Sequence, residues 1–118
     1  MDRICLPHEH HGIRPEMVPE VGEFQKIADT FKVLSDATRA RLFWLLCHGE
    51  ECVVNLAALM DMSSPALSHH LKLLKAMDLI SCRREGKEVY YKAAENRRAK
   101  ALHEMMEWME EISCPKEV

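Results

Sequence analysis

The sequence predicts a mostly α-helical domain with about five helices and one small β-hairpin. Two patterns favour this fold class. Apolar residues recur at Phe24, Ile27 and Phe31, the spacing of one helical face, and similar stripes follow further along the chain. Later, two runs rich in β-branched, aromatic and other apolar residues, 79–83 and 88–92, flank the turn-like sequence 84–87. Helices on both sides of a single hairpin are therefore expected.

The elements follow in order from an N-terminal arm. Residues 1–20 contain four prolines or glycines and no apolar periodicity, so they are predicted to be extended. The first helix comes from the stripe that starts at Phe24. Ser35 is predicted to cap the second helix, with Asp36 in its first turn and Gly49 at its end.

A short third helix is predicted near 53–60, followed by a tight turn. Ser63 and Ser64 before Pro65 mark the start of a fourth helix, which runs to about Met77. A last helix covers about 96–112. Two helices joined by a tight turn and followed by a hairpin predict a winged helix-turn-helix, with the hairpin as the wing. The expected boundaries are an arm at 1–20, this domain at 21–113 and a tail at 114–118.

Composition limits the function classes. At 118 residues, 47% of them hydrophobic, the chain has room for one domain. No apolar run approaches a membrane span, and the five cysteines are scattered, so we expect a soluble cytoplasmic protein without a membrane partner. The net charge is −3, yet segment 69–92 holds six basic against three acidic side chains. A glycine-rich phosphate loop and a serine nucleophile motif are missing, so an enzyme is not expected.

The fourth predicted helix has a polar face suited to DNA. At 100° per residue, Ser64, Lys72 and Lys75 each fall within about 40° of Ser68, and His69 lies at the border of this group. Hydroxyl groups near the helix start can reach base edges in the major groove, while the lysines reach phosphates. For this helix alone, the alternative is an ordinary amphipathic helix with a solvated polar side.

The predicted wing favours the DNA interpretation, because basic residues surround a ribbon whose tip fits an adjacent minor groove. We therefore predict that double-stranded DNA is contacted by Ser63, Ser64, Ser68, His69, Lys72, Lys75, Arg83, Arg84 and Lys87. His70 falls on the opposite side, with Ala66, Leu73, Leu74 and Met77, and is predicted to be a buried, hydrogen-bonded imidazole.

Three ordered motifs closely resemble the ArsR/SmtB family. They are ADTFKVLSDATRARL (28–42), SHHLKLL (68–74) and RREGK (83–87), and the resemblance covers about residues 22–112. It implies a homodimeric transcriptional repressor that binds a palindromic operator and leaves it when an inducer, often a metal ion, binds. The chain departs from the family at Pro65 and Ala66, where many members carry polar residues. Base contact then depends more on Ser64, Ser68 and His69.

The family pairs its first and last helices across the dimer axis. The apolar stripes of this chain's first and last predicted helices match that arrangement, although they could also belong to the core. The predicted interface consists of Phe24, Ile27, Phe31, Leu102, Met105, Met106 and Met109.

The resemblance also implies a metal site at the start of the third helix. Family members use two cysteines there, one residue apart, together with ligands from the arm. Here Cys52 is present but Val54 occupies the second position, so that pair alone is excluded. A thiolate with imidazoles suits a zinc- or cadmium-like divalent ion as inducer. The predicted ligands are Cys5, His8, His10, His11 and Cys52. The alternative is an arm that binds metal weakly and adventitiously.

A second family metal site, on the last helix, is not expected, because the arginines Arg97 and Arg98 stand where the family has a histidine. His103 and Glu107, four residues apart, share a helical face and could bind an ion, although exposed helices often carry such pairs. Two other functions remain open. The repressor could respond to thiol oxidation, such as a disulfide between Cys5 and Cys114, or to a non-metal ligand. A winged-helix protein-interaction module is the alternative from a different class.

Overall fold

The computed structural model describes residues 5–9 and 12–110. In these ranges a single turn of 3-10 helix, Pro15–Met17, precedes five α-helices and three β-strands. The elements are α1 (Val21–Val33), α2 (Ala37–Leu46), β1 (Glu51–Cys52), α3 (Val53–Met60), α4 (Ser64–Ala76), β2 (Ile80–Glu85), β3 (Glu88–Ala93) and α5 (Arg97–Glu110). The predicted helices and hairpin are confirmed, whereas the tail at 114–118 lies outside the described residues. None of the described helices is long and apolar enough to cross a membrane.

The core lies between α2, α3, α4, the sheet and the first half of α5. The fully buried side chains of the core are Leu42, Phe43, Leu56, Leu67, Leu71, Leu74 and Leu79. Burying a leucine contributes about 1.5–3 kcal/mol relative to leaving it exposed, so these side chains hold the domain together. By contrast, α1 has a single buried residue, Thr30. The Thr30 hydroxyl donates a hydrogen bond to the Lys26 carbonyl oxygen at 2.9 Å. The first helix therefore keeps its apolar side outside the core.

The cap of α2 differs from the prediction. Asp36, not Ser35, occupies the N-cap position, and its carboxylate accepts a hydrogen bond from the Arg39 backbone N–H at 2.9 Å. This hydrogen bond lowers the pKa of Asp36 below its ordinary value. Ser35 instead donates its hydroxyl to the Lys32 carbonyl oxygen at 2.6 Å, at the end of α1. Both residue types cap helices well, and the extended backbone of Asp36 decides between them.

Helices α3 and α4 form the helix-turn-helix. Asp61 ends α3 in the left-handed conformation, with φ of 51°, which aspartate tolerates better than most residues. Ser63 then caps α4, because its hydroxyl oxygen accepts from the Ala66 backbone N–H at 3.3 Å, and Pro65 stands in the first turn. The prediction of a tight turn before a serine-capped helix is confirmed.

The buried side of α4 is rotated by about 85° from the predicted one, at 100° per residue. Leu74 is buried as predicted, but Leu67 and Leu71 complete the buried stripe, whereas Ala66 is exposed and Leu73 is half-buried. The sequence offers leucines on two neighbouring faces, and packing against α2 and α3 selects one of them. This rotation changes which polar residues stand furthest from the core.

The sheet has the order β1-β3-β2. Strands β2 and β3 form the predicted hairpin, with antiparallel pairs from Ile80 with Ala93 to Glu85 with Glu88. Gly86 turns the chain at a φ of 62°, a conformation that costs glycine no side-chain clash. Strand β1, which was not predicted, adds two residues beside β3. It links the start of α3 to the base of the wing.

Candidate nucleic-acid interface

The exposed side of α4 forms the centre of the candidate interface. We call Ser64, Ser68, His69 and Lys72 the reading face; all four are exposed. With the buried stripe at Leu67, Leu71 and Leu74, His69 points almost directly away from the core, within about 15° of the opposite direction at 100° per residue. The sequence placed His69 at the border of the polar face, so the structure moves it to the middle. Its imidazole can donate or accept a hydrogen bond at a base edge.

The predicted contacts at the start of α4 divide into two roles. Ser63 uses its hydroxyl oxygen to cap the helix, so its first task is structural. Ser64 follows in the first turn and is exposed, and its own backbone N–H has no intrahelical acceptor. Pro65 has no N–H and the Ala66 N–H is taken by the Ser63 hydroxyl, so in this turn the Ser64 N–H is the group that can attract a phosphate. Ser64 is therefore well placed for phosphate or base contact.

His70 supports α4 from behind. Its ring is half-buried, and Nδ1 lies 3.2 Å from the Arg39 guanidinium Nη1, which donates. Arg39 also donates through Nε to the Val33 carbonyl oxygen at 2.5 Å. The imidazole therefore ties α4 to α2 and to the end of α1. The prediction that His70 is hydrogen-bonded is confirmed, although the ring is less buried than expected.

Lys75, at the other end of α4, reaches the sheet. Its Nζ donates to the Cys82 Sγ at 3.0 Å, and this hydrogen bond raises the pKa of Lys75. The ammonium group remains exposed, so it can still face a phosphate. Lys72 makes no ion pair with any residue that the structure describes, and it extends from the reading face.

Arg83 is held by two carboxylates, which the sequence did not predict. Its guanidinium Nη2 lies 2.6 Å from Glu50 Oε1, and Nη1 lies 2.8 Å from Glu85 Oε2. The carbon of the guanidinium lies 4.9 Å from the ring centroid of Tyr90. The hydrogen bonds from Arg83 lower the pKa of Glu50. Arg83 thus fastens the wing to the loop before β1 and has less charge to offer a phosphate.

The tip of the wing carries Arg84 and Lys87, the two remaining wing residues that are predicted to contact DNA. Arg84 and Lys87 are exposed, on either side of Gly86 and its neighbour Glu85. Neither forms an ion pair within residues 5–9 and 12–110. Their charges remain available to DNA phosphates, as the sequence predicts.

The predicted metal ligands lie in different environments. Cys5 and His8 are exposed in the arm, while Cys52 is only 8% exposed at the N-cap position of α3. Within one chain, the described members of this set do not form a three-ligand cluster. His10 and His11 lie outside the described residues.

The predicted interface residues divide into exposed and packed groups. Phe24, Ile27 and Phe31 of α1 are 52%, 45% and 53% exposed. On α5, Met105 and Met109 are also exposed, as is Trp108, which is not among the predicted interface residues. Leu102 and Met106 instead pack against the core of their own chain, Leu102 as one of its buried residues and Met106 as a partly buried neighbour. Leu102 therefore has little exposed side-chain area for a dimer interface, and Met106 has only part of its area.

Comparisons with known proteins agree with this architecture. The model of the arsR family of bacterial regulatory proteins matches residues 36–81, from the cap of α2 to the first residues of β2. A transcriptional repressor SmtB homolog of Synechocystis sp. is 35% identical over 99 residues, which are 84% of this chain and 74% of that protein. A cadmium resistance transcriptional regulatory protein CadC homolog of Staphylococcus aureus is 44% identical over 66 residues, which are 55% of this chain and 54% of that protein.

Solved structures share the fold along most of the chain. One is a homodimeric winged helix-turn-helix DNA-binding domain from Mycobacterium bovis, with 25% identity and a TM-score of 0.70 over 80% of this chain and 91% of that domain. Reduced HlyU from Vibrio cholerae, also 25% identical, has a TM-score of 0.69 over 75% of this chain and 93% of HlyU. The predicted winged helix-turn-helix is confirmed, and the regulatory relatives confirm a DNA-binding regulator rather than an enzyme. The chain belongs to the ArsR family of bacterial transcriptional regulators.

Proposed function

We infer that this chain is a homodimeric repressor that binds an operator in double-stranded DNA through α4 and the wing. The observation that carries this inference is the reading face, whose exposed imidazole and hydroxyl groups stand opposite the buried stripe of α4. A helix held in this way can enter the major groove with its N-terminal half toward the bases. Ser68 and His69 then contact base edges, and Lys72 contacts the backbone.

The wing extends the contact along the DNA. Arg84 and Lys87 lie at its tip, where they can bind phosphates beside the adjacent minor groove. Lys75 adds a cation from the end of α4. Arg83 contributes less, because Glu50 and Glu85 already neutralise its charge.

A second copy of this chain covers the apolar sides of α1 and α5 in this proposal. Phe24, Ile27 and Phe31 on α1 and Met105 and Met109 on α5 expose large apolar surfaces that the core does not use. A related domain from Mycobacterium bovis is homodimeric. Two copies would present two recognition helices to half-sites about 34 Å apart, one turn of DNA.

The inducer that we propose is a divalent ion of zinc or cadmium type, bound through the arm and Cys52. Thiolate and imidazole groups are suitable ligands for such ions, and the arm supplies Cys5 and His8 in exposed positions, with His10 and His11 beside them in sequence. Cys52 borders α3, which packs on α4. One relative is named for cadmium resistance and another for arsenical resistance. For both thiolates to bind one ion, the exposed Cys5 of a partner chain must lie close to Cys52.

The test starts from an operator selected from random double-stranded DNA by the full chain. Its affinity should fall steeply with salt, and zinc or cadmium should weaken it in the wild type. Cys5→Ser and Cys52→Ser should each remove the response to metal while they leave the affinity without metal unchanged. Cys47→Ser, at a cysteine outside the proposed ligands, serves as the matched control. Release by an oxidant alone, or a metal response like that of the wild type in both cysteine variants, would contradict the proposed inducer site.

A further inference from the structure

Three potential metal ligands meet where the end of α2 approaches α5. His48 lies in the loop between α2 and β1, and His103 and Glu107 lie one helical turn apart on α5. The rings of His48 and His103 are 4.9 Å apart between centroids and nearly perpendicular. His103 Nε2 lies 2.7 Å from Glu107 Oε1. One ligand atom from each of the three residues lies within 4.8 Å of the other two.

The backbone orients the His48 ring for ligation. His48 Nδ1 lies 2.8 Å from the Trp44 carbonyl oxygen, and a carbonyl oxygen can only accept a hydrogen bond. Nδ1 therefore carries the proton, which leaves the lone pair of the neutral ring on Nε2. Metal-binding histidines commonly donate their second N–H to a carbonyl or carboxylate in this way. The ring also packs on Trp44, with centroids 4.2 Å apart, so its orientation is restrained.

The distances fit a small divalent cation after modest side-chain rotation. In a tetrahedral zinc site, neighbouring nitrogen or oxygen ligands are about 3.3 Å apart. His103 Nε2 and Glu107 Oε1 are slightly closer than this and share a hydrogen bond that an ion would replace. Separations between the three ligand atoms that approach the upper limit of 4.8 Å must shorten when an ion binds. A cavity of about 310 Å³ opens beside His103 and gives an ion and a water molecule access.

We propose that His48, His103 and Glu107 bind a zinc-like divalent cation, with water in the fourth position. This site needs no cysteine and no residue of the arm, so it is independent of the inducer site proposed above. It would fasten the loop after α2 to α5, the helix that carries Met105 and Met109 on its exposed side. Occupancy would therefore stabilise the α2–α5 junction within each chain.

The test uses the full chain with Cys5→Ser and Cys52→Ser, which removes the thiolates proposed for the arm site. Cobalt(II) absorption and zinc calorimetry should then reveal one site per chain without a thiolate-to-cobalt charge-transfer band. His48→Gln and Glu107→Gln should each weaken this binding at least about tenfold, since loss of even a supporting partner commonly costs that much. The controls are His69→Gln on the reading face and Glu88→Gln on the wing, which should bind zinc like the parent. Equal zinc affinity in all four variants would overturn the proposal.

A second readout follows the imidazole nitrogens directly. Zinc should shift the side-chain ¹⁵N signals of His48 and His103 in nuclear magnetic resonance spectra, while those of His69 stay unchanged. Unshifted signals from His48 and His103 at saturating zinc would also overturn the site. Neither readout depends on operator binding, so failure of this site and failure of the proposed repressor function are distinguishable.

Discussion

Arg83 in the wing binds Glu50 in the loop before β1 through two hydrogen-bond donors, Nη2 at 2.6 Å and Nε at 2.9 Å from Glu50 Oε1. This ion pair joins β2, one edge strand of the sheet, to the loop that leads into β1, the other edge strand. Glu85 adds a second carboxylate to Arg83. Arg83 and Arg84 are neighbours in sequence with the same side chain, but only Arg83 has these partners among the described residues. The two arginines should therefore behave differently toward DNA.

The first prediction concerns these neighbours. Arg84→Ala should lower operator affinity and reduce the slope of log K against log salt by about one, the loss of one phosphate contact. Arg83→Ala should reduce that slope by less than half as much, because it removes a charge that two carboxylates already balance. Fluorescence anisotropy over a range of salt concentrations measures both slopes. A loss for Arg83→Ala equal to that for Arg84→Ala would show that Arg83 leaves its acidic partners to bind DNA.

The second prediction concerns the cap of α2. Asp36→Ala should lower the midpoint of thermal unfolding by a few degrees, whereas Asp36→Asn keeps a capping side chain and should lie close to the wild type near neutral pH. Because folding lowers the pKa of Asp36 below 3.8, the charged form stabilises the fold fully above that value. This stabilisation disappears as the pH falls through the lowered folded pKa. Asp36→Asn should therefore show a weaker loss of stability in acid, measured by circular dichroism.

The third prediction separates two leucines of α4. Leu71→Ala should lower the free energy of unfolding by about 2–5 kcal/mol, since Leu71 is fully buried and leaves a cavity. Leu73→Ala is the matched substitution two residues away, and it should cost clearly less because Leu73 is half-buried. Urea unfolding of both variants provides the comparison. Equal losses would argue against the rotation of α4 described above.

These differences indicate what the sequence can and cannot predict. Helix periodicity and the serine–proline start of α4 were sufficient to predict the helices, and the two strand-like runs around 84–87 were sufficient to predict the hairpin, since all these signals are local. The rotation of α4 about its own axis could not be predicted from the sequence, because Leu71 and Leu73 are equally apolar. Only packing against the rest of the domain selects Leu71 for full burial. Strand β1 has two residues, too few for any alternation. The proximity of His48 to His103 depends on the tertiary fold, as does the pairing of Arg83 with Glu50.

The fourth prediction tests the proposed dimer. Phe31→Glu should weaken dimerisation at least about tenfold, because a second copy would bury the new carboxylate without a partner. Leu59→Glu is the control, since Leu59 is 61% exposed on α3, the helix that packs against α4 and the sheet. Analytical ultracentrifugation over a range of protein concentrations measures both. A wild-type dimer constant for Phe31→Glu would place the interface elsewhere.

The reading face is the centre of the account, and one double variant tests it most directly. Ser68→Ala with His69→Ala removes two proposed base contacts, each worth about 1–3 kcal/mol of discrimination, and leaves Lys72, Arg84 and Lys87 in place. Affinity for the selected operator should fall at least about tenfold at fixed salt, while affinity for unrelated DNA stays the same. Circular dichroism checks that the variant is folded. Wild-type affinity of this folded variant for the operator would contradict the assignment of α4 as the reading helix.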